Sequence, residues 1–570
     1  MGEMKPQRRS TWSKLWPPGL GVLALMAVGS FLEDHESLQP IRRSLQSQFA
    51  HRSAFPGNRT QEFFSRVGVL HPEPLGMVPE EERRVTYRGD RGGNFSFWAL
   101  GPGDPATLPS SRKVPRELRD SGLPVISIVA RKSRLRHLVE DPLARGRSTE
   151  IEAFVSFFDR GQLVFGSGAG IRLHGGRSRT GGVKPSFRLY LRDRYGENQL
   201  PPGVIVGATA EPIRRLVLDS DLRYDKEGNE SRLANAIAMD IARQAGALAP
   251  ATRPVELVIN GEPRGLYVLT EYLDQHYLES RFGHSQFVMF RTKPVPGSSG
   301  YRFGDRERFA DLNRQTKPGM PLAMETIAEI VDLENLSRWF IAQVICGAFD
   351  AMQGPLLLDE TREDARWFWI NWDMDSSFGL AWAVDLQEKW AVDVFSRIVM
   401  RNRRDVRSRI LRGLIEGSPE FRLYLLGLFT EITNHRVNSE FLTQLLVSYE
   451  ETSRRHGLED VGFLDRIGDF MLDRGPAVRE RMGARLDGGR SHPVSLRLAA
   501  DREIVVDGYL ERDGFTGWYF ERLPVRLRVP EGQTRDFSYW LVNGEKALET
   551  PLEVEIQEPT TVEAVFDSDT

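Results

Sequence analysis

Apolar positions recur with two different periods along the chain, and the change of period marks its organisation. Residues 123–130 (L-P-V-I-S-I-V-A) and 151–159 (I-E-A-F-V-S-F-F-D) are short apolar blocks, which predicts strands. In 184–192, Phe187, Leu189 and Leu191 alternate with Arg188, Tyr190 and Arg192, a strand periodicity that puts cations on one face. Residues 255–259, Asn260-Gly261 and 267–271 read as strand, tight turn and returning strand, with Glu271 at the end. Helical spacing takes over at 232–246, which ends at the C-cap glycine Gly246. It recurs where Leu336, Trp339, Phe340, Val344 and Ala348 share one face behind the N-cap Asp332. A second hairpin follows at 356–358 and 366–372, then a mainly helical stretch to about 490 with amphipathic runs at 421–432 and 441–449. Asp405, Arg407 and Arg409 in that stretch read as a solvated charged face. Beyond Ser491 short strands return at 494–498, 525–529, 539–542 and 562–566, predicting a small β-sandwich.

These changes divide the 570 residues into segments 1–32, 33–118, 119–490 and 491–570. The first has Lys5, Arg8, Arg9 and Lys14 ahead of an apolar run at 15–32, with acids after it. That order predicts a signal peptide or signal anchor, with the bulk of the chain outside the cytoplasm, either membrane-anchored or secreted. At about 1.5 Å per residue such a run only just spans a bilayer. Segment 33–118 is polar and irregular. Hydrophobic residues at 40% and charged residues at 27% are globular proportions, and a net charge of -3 lacks the basic field of a nucleic-acid binder. The single cysteine, Cys346, excludes a disulfide framework or a cysteine-based zinc site within one chain.

The chemistry concentrates at 365–379, A-R-W-F-W-I-N-W-D-M-D-S-S-F-G, an aromatic strand that ends in Asp373 and Asp375. Carboxylates at the mouth of a buried strand are costly unless a cation or another partner meets them. Asp350 lies just before the hairpin and Asp373 just after it, 373 - 350 = 23 positions apart. Protein kinases bring a catalytic base and a metal-binding aspartate to one γ-phosphate by the same order of loop, hairpin and Asp-x-x. Upstream, H-G-G-R-S-R-T-G-G from His174, which includes Arg177, is a basic glycine-rich loop without a Walker pattern. Such a loop, with the cationic strand after it, suits phosphate oxygens.

Segments in a fixed order then resemble one family. They are L-P-V-I-S-I-V from Leu123, F-F-D from Phe157, G-I-R-L-H-G-G-R-S-R from Gly170 and K-P-S-F-R-L-Y-L-R from Lys184. N-G-E-P-R-G-L-Y-V-L-T-E from Asn260 and W-D-M-D-S-S-F-G from Trp372 complete the set. Together they resemble the CotH kinase family of atypical protein kinases, named after a bacterial spore-coat protein. The resemblance implies an α+β, two-lobed, atypical protein-kinase-like domain followed by the all-β one. It also implies ATP with Mg²⁺ or Mn²⁺, and transfer to Ser or Thr of envelope or coat proteins. Carried onto this chain, Asp350 matches the catalytic base, Asp373 the metal-binding aspartate, and Asp375 a further ligand. Glu271 matches the acid that orders a phosphate-contacting cation, with Lys184, Arg188 and Arg177 as the cations at the cofactor. Two features depart from the pattern: Tyr190 stands where relatives often have lysine, and A-M-Q-G follows Asp350 without the metal-holding asparagine. The alternative is a catalytically weak kinase-like surface protein that binds a partner, with the β domain as the adhesive element.

Overall fold

Seven of the short apolar blocks close on themselves. β1 (Val125–Ala130), β2 (Ile151–Asp159), β3 (Gln162–Leu173), β4 (Phe187–Tyr190) and β5 (Arg215–Asp219) join β6 (Thr252–Ile259) and β7 (Glu262–Glu271) in a closed barrel. Its pairings are antiparallel except the last, where β6 runs parallel to β1 with Glu256 opposite Val125 and Ile259 opposite Ile128. Closure removes the open edges that a sheet of such apolar strands would otherwise expose. Ile128, Phe157, Ile171, Phe187, Leu218 and Leu257 fill the interior, and α1 (Lys132–Glu140) adds Leu135 and Leu138 to the same core. The β6–β7 turn is Asn260-Gly261, both in the left-handed region as a two-residue hairpin of this type requires. This computed structural model describes residues 123–567 apart from 143, 176–178, 180–183, 202, 206–212, 225–229, 292–300, 351, 381–390, 402–404 and 500–501, together with Leu118 and the strands Arg83–Arg88 and Asn94–Ala99. Those two strands form an antiparallel pair inside the segment read as irregular, while the apolar run at 15–32 lies outside the described residues. Among the described residues no helix is long and apolar enough to cross a membrane.

The second core is helical. α2 (Ala234–Gln244) is buried along almost its whole length, because its alanines let neighbouring elements approach from every side. α4 (Leu333–Cys346) packs in the same core behind Asp332, whose side chain accepts from the Asn335 N–H as the sequence predicts. In the sheet β9-β8-β10-β11, β8 (Phe287–Arg291) and β9 (Tyr301–Phe303) lie between these helices in sequence, and β10 (Pro355–Asp359) and β11 (Phe368–Trp369) follow α4. α5 (Val406–Gly417), α6 (Pro419–Glu431), α7 (Ser439–Arg455) and α8 (Gly462–Arg485) complete the helical part. α4 ends at Gly347, at φ +62°, where a Cβ would lie 2.6 Å from Phe470. Its last carbonyls, of Val344 and Ile345, accept from the buried Arg474 of α8 at 2.6–3.1 Å. A cation at a helix C-terminus satisfies orphaned carbonyls and complements the helix dipole.

The two C-terminal sheets confirm an all-β region after the helices. One runs Thr516–Phe520, Ser491–Arg497, Thr560–Phe566, Phe537–Val542 and Glu545–Ala547, and the other Tyr509–Arg512, Glu503–Val506, Val525–Arg528 and Leu552–Val554. They enclose a separate core around Trp540, Leu527 and Val562. Asn434 pairs with both backbone groups of Trp518 on the outer strand Thr516–Phe520, at 2.9 and 3.1 Å, and so covers part of that edge.

Asp405 and Arg407 correct the reading of a solvated face. Both are buried and paired at 2.9 Å, Asp405 also caps the first turn of α5, and the Arg407 guanidinium stacks 4.9 Å from the Trp339 ring. Charges two apart in a helical stretch look like surface residues by pattern. What buries Arg407 is a loop 54 positions away, whose carbonyls at Met352 and Gln353 take two of its N–H groups. Arg407→Met would strand the Asp405 carboxylate and those carbonyls, so it is expected to cost about 3–5 kcal/mol. Urea unfolding of the variant against the parent chain measures this.

Candidate active site

The two loops that carry the aspartates are fastened to each other and to the helices beneath. The Phe349 N–H donates to the Ser376 carbonyl at 2.9 Å, which sets the Asp350 loop alongside the Asp373–Asp375 loop. Phe378 N–H reaches back to the Cys346 carbonyl at 2.8 Å, at the end of α4. Gly354, at φ +91°, closes the first loop over the second. A Cβ there would come within 2.2 Å of the Ile370 carbonyl oxygen, so no other residue fits without movement.

Asp373 adopts φ +59°, left-handed backbone that costs a non-glycine residue about 1–3 kcal/mol and persists only where the surroundings enforce it. Here they do so from both sides. Asn371, fully buried, donates its N–H to the Leu248 carbonyl at 2.7 Å and accepts from the Gln343 amide at 2.6 Å. The Met374 N–H donates to the Asn235 side chain at 2.9 Å. Asn235 lies in the first turn of α2, whose own N–H groups at 235 and 236 are taken by the buried Asp221 carboxylate. Asp373 is thus held on a frame of buried amides.

Asp350 accepts from the Gln353 amide at 2.7 Å, which fixes one carboxylate oxygen. Burial lowers the Arg397 guanidinium below its ordinary value against the opposing pull of the Asp350 charge, so a cation stands near this acid; it also stacks 4.0 Å from the Phe349 ring. Asp375 accepts from Ser376 Oγ at 3.1 Å. Among the described residues no group of three or more metal-ligating side chains occurs. Carboxylates from two joined loops do suit a hard divalent cation that draws its other ligands from phosphate and water.

Trp372, the residue before Asp373, opens onto a cationic and aromatic cluster. Its ring stands edge-on to Tyr272 at 6.2 Å and to His174 at 6.3 Å, with the Arg291 guanidinium 5.6 Å away. Arg188 stacks on Tyr272 at 3.9 Å and bonds to His174 at 2.9 Å, and Arg291 faces the same Tyr272 ring at 5.2 Å. Neither Arg188 nor Arg291 has a carboxylate within ion-pair distance among the described residues. The surplus charge is felt by its neighbours. Burial, reinforced by Arg188, Arg291, Arg179 and Arg145, holds the His174 imidazole well below its ordinary pKa. Burial alone would raise the Tyr272 phenol, yet Arg291 and Arg188 outweigh it and bring it below its ordinary value.

The other residues predicted for this site are placed differently. Glu271 is buried and pairs with Arg281 at 2.5 Å while accepting from the Ala251 N–H at 3.1 Å; it orders neither Lys184 nor Arg188. Lys184 sits 4.1 Å over the Tyr267 ring and donates to the Leu266 carbonyl, apart from the cluster at Trp372. Arg177 lies outside the described residues. Arg291, Tyr272 and Asn235 were not predicted. An arginine closing the apolar strand F-V-M-F-R and an asparagine in an alanine-rich helix are the marks that single out two of them.

Next to this cluster Glu150 is almost wholly buried and accepts from Arg172, Arg192, Arg194 and Tyr195 at 2.5–3.1 Å. Gly170 makes room for it, since a Cβ there would stand 2.5 Å from Glu150 Oε1. Burial would raise the Glu150 carboxyl; Arg172, the Tyr195 hydroxyl and Arg192 outweigh that and hold it below its usual value. Its contribution to stability is therefore present above the unfolded carboxyl value, about 4.3, and lost as pH falls through the lower folded value. Glu150→Gln should lower the unfolding free energy at pH 7 and flatten its decline between pH 5 and pH 3, as read by urea melts across that range. Asn235→Ala leaves the Met374 N–H buried without a partner, and a loss of about 1–3 kcal/mol is expected in the same measurement.

The sequence profile described as CotH kinase protein matches residues 171–463, from β3 of the barrel into α8 and just over half of the chain. The chain is also similar to the inner spore coat protein H of Bacillus subtilis (strain 168), at 22% identity over 181 residues, covering 26% of this chain and 47% of that protein. It thus spans about half the length of that relative. The matched region contains Asp350, Asp373 and Asp375 with the loops that join them, and the chain belongs to the CotH kinase protein family.

Proposed function

We propose that this chain is an atypical protein kinase that transfers the γ-phosphate of ATP to Ser or Thr of envelope or coat proteins. The observation that supports the reading most is the junction of the Asp350 loop and the left-handed Asp373 loop, whose Trp372 packs against a cluster of two arginines that have no acid partner among the described residues. Family membership and the name of the spore-coat relative support it as well. Asp350 takes the hydroxyl proton as the acceptor oxygen bonds to Pγ and the bond from Pγ to the β-phosphate oxygen breaks. The Gln353 amide orients Asp350 through one carboxylate oxygen. Arg188 and Arg291 contact phosphate oxygens, where fixed guanidinium groups stabilise charge without reorganising. Asp373 and Asp375 would hold Mg²⁺ or Mn²⁺, which supplies charge neutralisation on the phosphates. Gln353 lies in the region where kinases place a metal-holding asparagine, and its Nε2 donates to Asp350. On this reading the chain works outside the cytoplasm, secreted or anchored by its 15–32 run.

The test is transfer from labelled ATP, with Mg²⁺ or Mn²⁺, to the chain itself and to a casein-like acceptor. Asp350→Asn should retain nucleotide binding and lose transfer by about 10²–10⁴-fold, the usual scale of a general base. Asp373→Ala should lose transfer together with metal-dependent nucleotide binding. Transfer that survives Asp373→Ala overturns the assignment. A parent chain that neither binds nucleotide nor transfers phosphate is a binding module instead.

A further inference from the structure

The cationic cluster at Trp372 does not stop at the two arginines assigned to phosphate. Tyr190, on the outer face of β4, accepts from Arg188 Nη1 at 3.2 Å. Its ring is flanked by Arg172 at 4.4 Å, Arg192 at 4.8 Å and Arg215 at 5.6 Å. The register places these side chains on one surface, with Arg172 opposite Arg188 on β3 and Arg215 opposite Tyr190 on β5. Contacts therefore run without a break from Asp373 through Trp372, Arg291, Tyr272, Arg188 and Tyr190 to Arg192 at the barrel surface.

Charge along this track is unbalanced. Beyond the two arginines assigned to phosphate, Arg172, Arg192 and Arg215 carry three positive charges. Among the described residues the carboxylates paired with them are two, Glu150 and Asp274, so 3 - 2 = 1 positive charge is in excess, and Arg188 and Arg291 add two more where no nucleotide is bound. Glu150 is shared further with Arg194, and Asp274 also caps α3 (Gln275–Phe282) through the His276 and Tyr277 N–H groups. The side chains of Arg172, Arg192 and Arg215 keep 16–27% of their surface open to solvent, enough to be reached by a ligand.

We infer that this track binds an anionic segment of the acceptor protein, one bearing carboxylates or phosphoserines near the hydroxyl to be modified. The inference rests on the phosphotransfer reading only in calling the bound segment an acceptor. A peptide fits better than a single-stranded nucleic acid. The tyrosine rings that would stack on bases are already faced by guanidinium groups, while charge-assisted, forked hydrogen bonds from those arginines suit carboxylate and phosphate.

The experiment is fluorescence anisotropy on the full chain, without nucleotide, at low and high salt. The probes are labelled serine peptides flanked by aspartates, by phosphoserines or by lysines. Tighter binding of either anionic peptide than of the lysine peptide, by tenfold or more and weakening steeply with salt, is expected; which of the two wins tells carboxylate from phosphate recognition. The double substitution Arg192→Ser and Arg215→Ser should abolish that preference. It leaves Glu150 with Arg172 and Arg194, and Asp274 with its two N–H donors, and circular dichroism verifies the fold. No preference for anionic peptides overturns the inference. So does complete displacement of the peptide by Mg-ATP with equal loss of nucleotide affinity in the double variant, which would make the whole track a nucleotide site. Tighter binding of an oligonucleotide than of any peptide overturns it too. Because no transfer is read, an inactive kinase with an intact track and an active kinase without one give different results.

Discussion

The candidate site depends on buried polar side chains that hold irregular backbone in place. Neither the Asp350 loop nor the Asp373 loop is part of a regular element, so their N–H and C=O groups must find partners one by one. Arg407 takes the carbonyls of Met352 and Gln353, Asn235 takes the Met374 N–H, and Asn371 binds the Leu248 carbonyl. Each of these is itself fixed by a second contact: Asp405, the Asp221-capped start of α2, and Gln343. The result is a rigid seat for carboxylates whose own positions cost energy, one of them on left-handed backbone.

Charge is divided around that seat. The acids come from loops on the helical side, and the arginines come from the barrel face and the end of β8. Trp372, next to Asp373 in the chain, and Tyr272 pack against those arginines.

Features set by neighbours in sequence were legible from the chain alone. The Asn260-Gly261 turn, the Asp332 cap and the 151–159 strand all follow from residues within a few positions. The approach of Asp350 to the Asp373 loop was legible too, because one hairpin separates them. What the sequence did not disclose is long-range. Parallel pairing of β6 with β1, the burial of Arg407 and the frame at Asn235 depend on contacts across 54 to 139 positions. For Glu271 the resemblance implied a partner among Lys184 and Arg188, and the structure pairs it with Arg281 of the next helix, a contact that spacing alone does not disclose.

Arg474 carries a consequence for how the protein is made. α4 is complete by Cys346, but the carbonyls at its end wait for a guanidinium 130 residues downstream. During synthesis at about 5–20 residues per second, that interval leaves α4 without its C-terminal partner for several seconds or more. The barrel can close as soon as Glu271 has emerged, whereas the helical core that seats the aspartates is finished only with α8. The nascent chain therefore acquires its arginine face well before its carboxylate loops are set.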